Sequence, residues 1–225
     1  MESFEYLLEE SAKTHGHLCP GQVVGVRMAM LGCRLIGLDN PKSREQIKKL
    51  LVYVEMDRCT ADAVAYVTGV KLGRRSLKFM DYGIMATTFI NLTTDKSYRI
   101  ISTEESRDLS DVYAPEVEGK SQRQLLAYKR MPDSVLFRVQ KVHVNINEFD
   151  LPGPTKQKNT CSQCGQVIRD GREIVKEGQT LCKPCSGNCY FSHAMQISWP
   201  GMDWSPLNGK NGKSQAGFEK GTALS

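Results

Sequence analysis

Two groups of soft donor side chains stand out in this sequence of 225 residues. The first is His15-Gly16-His17-Leu18-Cys19-Pro20-Gly21, which sets two imidazoles and a thiol at i, i+2 and i+4. In an extended backbone all three leave the same face. Pro20 fixes a helix-compatible φ and lacks the N–H that a first helical turn leaves unpaired, so a helix is predicted to begin just after Cys19. Free backbone N–H groups and the positive end of the helix dipole then favour thiolate over thiol at Cys19. Cys59 occupies the same niche. It follows a β-rich run over 51–56, precedes a predicted helix over 61–68, and has Asp57 two residues away. The two cysteines are expected to converge on one metal ion. The alternative is a polar turn before a core helix, with three donors in five residues left without a role.

The second group is Cys161-x2-Cys164, then 17 residues, then Cys182-x2-Cys185. Each C-x2-C pair turns two thiolates to one side of a tight knuckle, and two knuckles complete a tetrahedral four-cysteine zinc site. Between them Val167-Ile168 and Glu173-Ile174-Val175 flank Asp170-Gly171, which predicts a hairpin. A module this small cannot build its own core, so the zinc would supply most of its folding free energy. Cys189 and His193 could substitute as ligands, but a complete set of four thiolates makes packing the better reading. Cys33 falls in an apolar run and reads as a small packed hydrophobe. His143 falls on the polar face of a period-two strand and reads as solvent-facing.

The elements that position these groups follow from the pattern. Residues 3–14 place Phe4, Leu7, Leu8 and Ala12 at helical spacing, a short amphipathic helix that delivers the chain to His15. The run from Val23 to Ile36 is apolar nearly all round, with Gly37 as a C-cap, and is expected to be buried or to lie in a subunit interface. A surface helix is predicted from Pro41 to about Leu50, strands over 51–56 and 84–91, and a hairpin through Thr94-Asp95-Lys96 into Tyr98. Residues 103–130 read as partly helical, with breaks at Pro115 and Gly119. A short helix over 134–137 and a strand over 139–146 complete the first domain, 1–150. Residues 151–160 carry two prolines and no apolar period after Leu151, and read as a linker. The finger spans 161–195. The tail 196–225 is expected to be partly disordered, with Trp199, Pro200, Met202 and Trp204 docking back.

Hydrophobic residues make up 40% and charged residues 24%, an ordinary globular composition with material for a core. Acidic residues stand at the start where a secretory signal carries basic ones, and no stretch approaches the ~18 apolar residues of a membrane span, so the reading is cytoplasmic. Eight cysteines there argue for metal or redox chemistry rather than a disulfide framework. Residues 1–150 carry 21 basic against 20 acidic side chains and residues 151–225 carry 9 against 5. This mild basic bias permits nucleic-acid contact without demanding it, but the basic residues are sparse and not interleaved with aromatics, so weak DNA binding at most is expected.

The H-G-H-x-C-P-G opening, followed by D-x-C-x-x-D-A at Asp57, Cys59, Asp62 and Ala63 and by Thr68-Gly69, resembles the family named for the E component of formylmethanofuran dehydrogenase, FmdE. The cysteine module is similar to the treble-clef zinc fingers of DksA/TraR-type proteins. The resemblance implies an α+β core of helices packed on a mostly antiparallel sheet, with homodimers that exchange elements. It also implies a metal site of His17, Cys19 and Cys59, with His15 and Asp57 nearby as candidate catalytic groups. Three protein ligands leave one position open, the pattern of a catalytic rather than a structural zinc site. The core metal could be zinc, nickel or another transition ion. The expected roles are a metal-dependent enzyme or accessory subunit in one-carbon or molybdo/tungsto-enzyme metabolism, acting on a small molecule the sequence does not identify. The alternatives are a metal-handling or assembly protein whose finger meets a protein partner, or a zinc-finger regulatory protein.

Overall fold

The computed structural model describes residues 1–194; the tail from 196, with its four expected docking residues and expected disorder, lies outside the described residues. The chain divides into two compact units, one of residues 1–153 and one from residue 154 onward.

The first unit opens with α1 (Phe4–His15), capped by the Ser3 hydroxyl, which accepts from the Tyr6 N–H at 3.3 Å. Gly16 stops it in the left-handed region at φ 98°. Helix α2 (Pro20–Ile36) starts on proline as predicted, ends at Gly37, and buries most of its length. Then come β1 (Leu50–Val54), α3 (Cys59–Thr68), β2 (Leu77–Phe79), β3 (Ala86–Asn91) and β4 (Lys96–Ser102). Two single-turn helices, α4 (Glu105–Asp108) and α5 (Ser110–Tyr113), precede α6 (Lys120–Arg130), α7 (Asp133–Leu136) and β5 (Phe137–Lys141). The strands form one sheet in the order β2-β1-β3-β4-β5, parallel only between β1 and β2 and antiparallel elsewhere. This is a mixed α+β fold, with helices on a mostly antiparallel sheet.

Alternation along the strands sends Leu50, Val52 and Val54 of β1, Phe89 of β3 and Ile100 of β4 into the main core, where they meet α2. The contact is closest at Gly32, where an added Cβ would lie 2.3 Å from the Phe89 ring. We therefore expect Gly32→Ala to destabilise the unit by about 1–3 kcal/mol, lowering the urea midpoint without changing the slope. An unchanged midpoint would mean that α2 can move off β3 without cost. Arg27 ties the other side of α2 down. Its guanidinium donates to the Tyr128 carbonyl at 2.6 Å, the Met131 carbonyl at 2.5 Å and Asp133 Oδ1 at 2.6 Å.

Two segments differ from expectation for local reasons. The segment after Pro41 forms turns and one 3-10 turn, Ile47–Lys49, instead of a surface helix. The Gln46 side chain accepts from the Asn40 N–H and donates to Asp39, each at 2.8 Å, and so offers the backbone an alternative to helical bonding. Strand β5 stops at Lys141, although the alternation runs to 146. Its partner β4 begins at Lys96, and after the Val142 N–H donates to the Ser97 carbonyl no ladder remains.

The second unit contains β6 (Lys158–Thr160), β7 (Val167–Arg169), β8 (Ile174–Lys176) and β9 (Gln179–Leu181), paired as two antiparallel ribbons, β6–β7 and β8–β9. The hairpin expected around Asp170-Gly171 does not form. Asp170 instead accepts the Lys156 N–H at 2.8 Å, so this turn joins the two ribbons. The tight turn of the second ribbon is Glu177-Gly178, both at positive φ. Strand β6 also takes up the last residues of the stretch read as a linker. Among the described residues no helix is long and apolar enough to cross a membrane.

Candidate metal centres

The core group lies where α1 hands over to α2. The segment is not extended. His15 is the last residue of α1, left-handed Gly16 turns the chain, and Cys19 is the extended N-cap of α2. The turn nevertheless gathers one donor atom each from His15, His17 and Cys19 within 4.8 Å of one another. The two imidazole centroids are 4.7 Å apart.

His15 carries the clearest chemical signal. Its Nδ1 lies 2.8 Å from Asp62 Oδ2, on the first turn of α3. A carboxylate only accepts, so Nδ1 holds a proton, and in the neutral imidazole Nε2 then keeps its lone pair. That Nε2 is buried and finds no hydrogen-bond partner among the described residues. A buried acceptor without a donor is costly, and a metal ion beside it would resolve the cost. The donor set of imidazoles and thiol fits zinc and its neighbours in the transition series.

Cys59 is the first residue of α3 and stands beside Cys19, although it is not a member of the three-residue group. Burial, and then a hydrogen bond that the Cys59 thiol donates to Cys19, raise its pKa. Gly21 lets the two helix starts meet: an added Cβ would be 3.0 Å from Cys59 Cβ and 3.7 Å from each sulfur. Gln22, fully buried, locks the junction by accepting from Ser11 Oγ at 2.5 Å and donating to the Cys59 carbonyl at 2.8 Å. Asp57 is exposed in the bend before α3. The carboxylate that meets His15 is Asp62, a role the sequence reading did not give it. The available signal was its place one helical turn after Cys59. His143 is exposed, with Nδ1 3.9 Å from Asp95, and Cys33 is fully buried, its thiol pushed up to about 12 by that burial.

In the second unit the sulfurs of Cys161, Cys164, Cys182 and Cys185 lie within 4.8 Å of one another. Burial works against ionising Cys161, but N–H groups of Cys164, Cys182 and Gln163 outweigh it and lower its pKa to about 6. Burial, with the neighbouring thiols behind it, raises Cys164 and Cys185. One thiolate thus forms readily while Cys164 and Cys185 resist, and a cation among the sulfurs would favour their ionising with it. The cluster therefore fits a metal ion of the zinc-finger kind. Cys189 and His193 are exposed and outside this group.

Comparison with known proteins gives the family and relatives of this chain. A curated relative from Archaeoglobus fulgidus, a "probable S-adenosyl-L-methionine-binding protein", is 28% identical over 199 residues, covering 82% of this chain and 53% of the relative. The chain thus spans about half the length of the curated relative it matches. A tungsten formylmethanofuran dehydrogenase FmdE-like protein from Syntrophus aciditrophicus shares the fold, with a TM-score of 0.55 at 19% identity over 85% of this chain and 96% of that one. The family described as "FmdE, Molybdenum formylmethanofuran dehydrogenase operon" matches residues 14–141, a range that takes in His15, His17, Cys19, Cys59 and Asp62. Since that match covers more than half of the sequence, the chain belongs to the FmdE family.

Proposed function

We propose that this FmdE-family protein holds two metal ions, a structural zinc on the four cysteines and a reactive transition ion at the start of α2. The observation that carries the second ion is the buried, unpartnered His15 Nε2, with Nδ1 anchored by Asp62. His15, His17 and Cys19 are the ligands, and Cys59 is the fourth donor that can close or vacate the shell. Zinc or nickel bound there would polarise a carbonyl or activate a water. The chain's own residues do the positioning: Asp62 fixes the His15 tautomer, Gln22 holds the α3 start, and exposed Asp57 exchanges protons with solvent. The role is that of a metal-dependent enzyme or accessory subunit in one-carbon or molybdo/tungsto-enzyme metabolism, working as a homodimer.

Exposure of His17 favours a second reading, metal handling, in which the ion leaves readily to a competing site. Metal analysis of full-length protein, purified without chelators or a nickel column, tests the proposal. Two ions per chain are expected, one lost in Cys161→Ser and the other in His15→Gln combined with Cys19→Ser. A single ion unaffected by the core substitutions overturns it. Rapid loss of the core ion to a chelator, with the finger ion retained, would select the handling reading.

A further inference from the structure

Cys19 and Cys59 are a pair of thiols that meet between two helix starts. Cys19 is the N-cap of α2 and Cys59 the first residue of α3. Their sulfurs border the same gap, since a Cβ added at Gly21 would lie 3.7 Å from each, and the Cys59 thiol donates a hydrogen bond to Cys19. Two features leave the pair able to react. The Cys19 side chain makes no capping hydrogen bond, so it can turn without losing one. Both residues are half-buried, whereas Cys33 is fully buried, and partly exposed thiols are the ones an oxidant reaches. Exposed His17 and Leu18 open this corner to solvent.

We infer that this pair is a redox switch on the core metal site: a disulfide oxidant joins Cys19 to Cys59, and the ion is expelled. This rests on the metal reading above and names the regulation of that site. The Cys19 sulfur attacks one sulfur of the oxidant's S–S bond and releases the other as a thiol. The Cys59 sulfur then attacks Cys19 in the mixed disulfide and releases the second thiol. Two protein S–H groups and one external disulfide thus become one protein disulfide and two external thiols. Cys19 then has no thiolate to offer, so of the three ligands only His15 and His17 remain, one fewer than an open catalytic zinc site keeps. Reduction restores the third. By linkage, a bound ion opposes oxidation as strongly as oxidation expels the ion.

Glutathione redox buffers, with free zinc held at set levels by a chelator, test this on the full-length protein. After quenching and alkylation, trypsin places Cys19 in peptide 14–27, Cys59 in 59–71 and Cys33 in 28–34. Oxidised protein should give 14–27 joined to 59–71, with 28–34 alkylated and one ion released per bond formed. Each tenfold rise in free zinc above the core Kd should demand a tenfold lower ratio of squared reduced to oxidised glutathione for half-oxidation, about 30 mV. In Cys59→Ser the mixed disulfide should persist as one glutathione on peptide 14–27. Glutathione on wild-type 14–27 and 59–71 without a joined pair overturns the switch, and so does a midpoint that zinc does not move. Metal analysis of the reduced protein is read separately. A core ion that is present while the pair stays unjoined removes only the switch, whereas a joined pair in a protein that holds no core ion removes the metal reading and the switch with it.

Discussion

In Cys161→Ser, amide protection across β6–β9 is expected to vanish while α2 exchanges as in wild type. The reason is the size of the core in the second unit. Its buried cluster consists of Cys161, Ile168, Leu181 and Cys182, so half of it is cysteine. Fully burying two aliphatic side chains contributes only about 1.5–3 kcal/mol each. That falls well short of the entropy lost by ordering four strands of three residues and their turns, so the ribbons would depend on an ion held by the four cysteines. Structural zinc in small modules contributes on the order of 10 kcal/mol, enough to make the unit unfolded without metal and folded with it. Deuterium uptake of peptides from 158–185 reads this directly, and a strong chelator should reproduce the variant's pattern. Protection that survives in Cys161→Ser would mean that the remaining thiols, or the ribbons alone, suffice. The first unit is a separate compact body with its own large core, so α2 provides the internal reference.

The sequence was most readable where one residue decides the backbone. Pro20, Gly37 and Gly69 bound their helices because each either fits only a first turn or takes the left-handed angle that ends a helix. Two C-x2-C pairs were readable for a similar reason: two knuckles leave few ways to place four sulfurs. Where side chains compete with the backbone, pattern failed. Gln46 diverted the segment after Pro41 from helix to turn, and Asp170 turned a hairpin signal into a connection between ribbons. Neither competition appears in apolar periodicity. The core site was half readable for a topological reason. Donor types and the helix-start positions of Cys19 and Cys59 are local, but the meeting of His15 with Asp62 spans 47 residues and exists only once α1 and α3 flank α2. Extended spacing implied that His15, His17 and Cys19 share a face. They do gather, by way of a left-handed glycine between two helices.

That long-range pair sets the second large effect. Asp62→Asn should weaken core metal binding about 10- to 100-fold, the usual consequence of removing a carboxylate that orients a ligating imidazole. The substitution keeps shape and an accepting oxygen, so the fold and the finger's affinity should not change. The direct Coulomb contribution is small, because the Asp62 side chain is 67% exposed and solvent screens it. What is lost is selection of the Nδ1-protonated tautomer, since an amide can present either its oxygen or its NH2 to the ring. An NH2 facing Nδ1 would drive the proton to Nε2 and block the donor. The loss should therefore persist at about 1 M salt, where a simple charge effect would fade. Competition against a chromophoric chelator measures it, with Asp57→Asn as the matched control of equal charge change. Asp57 does not meet the ring, so that control should leave the affinity within about twofold. Equal losses in both variants would reduce the role of Asp62 to bulk charge, and no loss in Asp62→Asn would remove His15 from the ligand set.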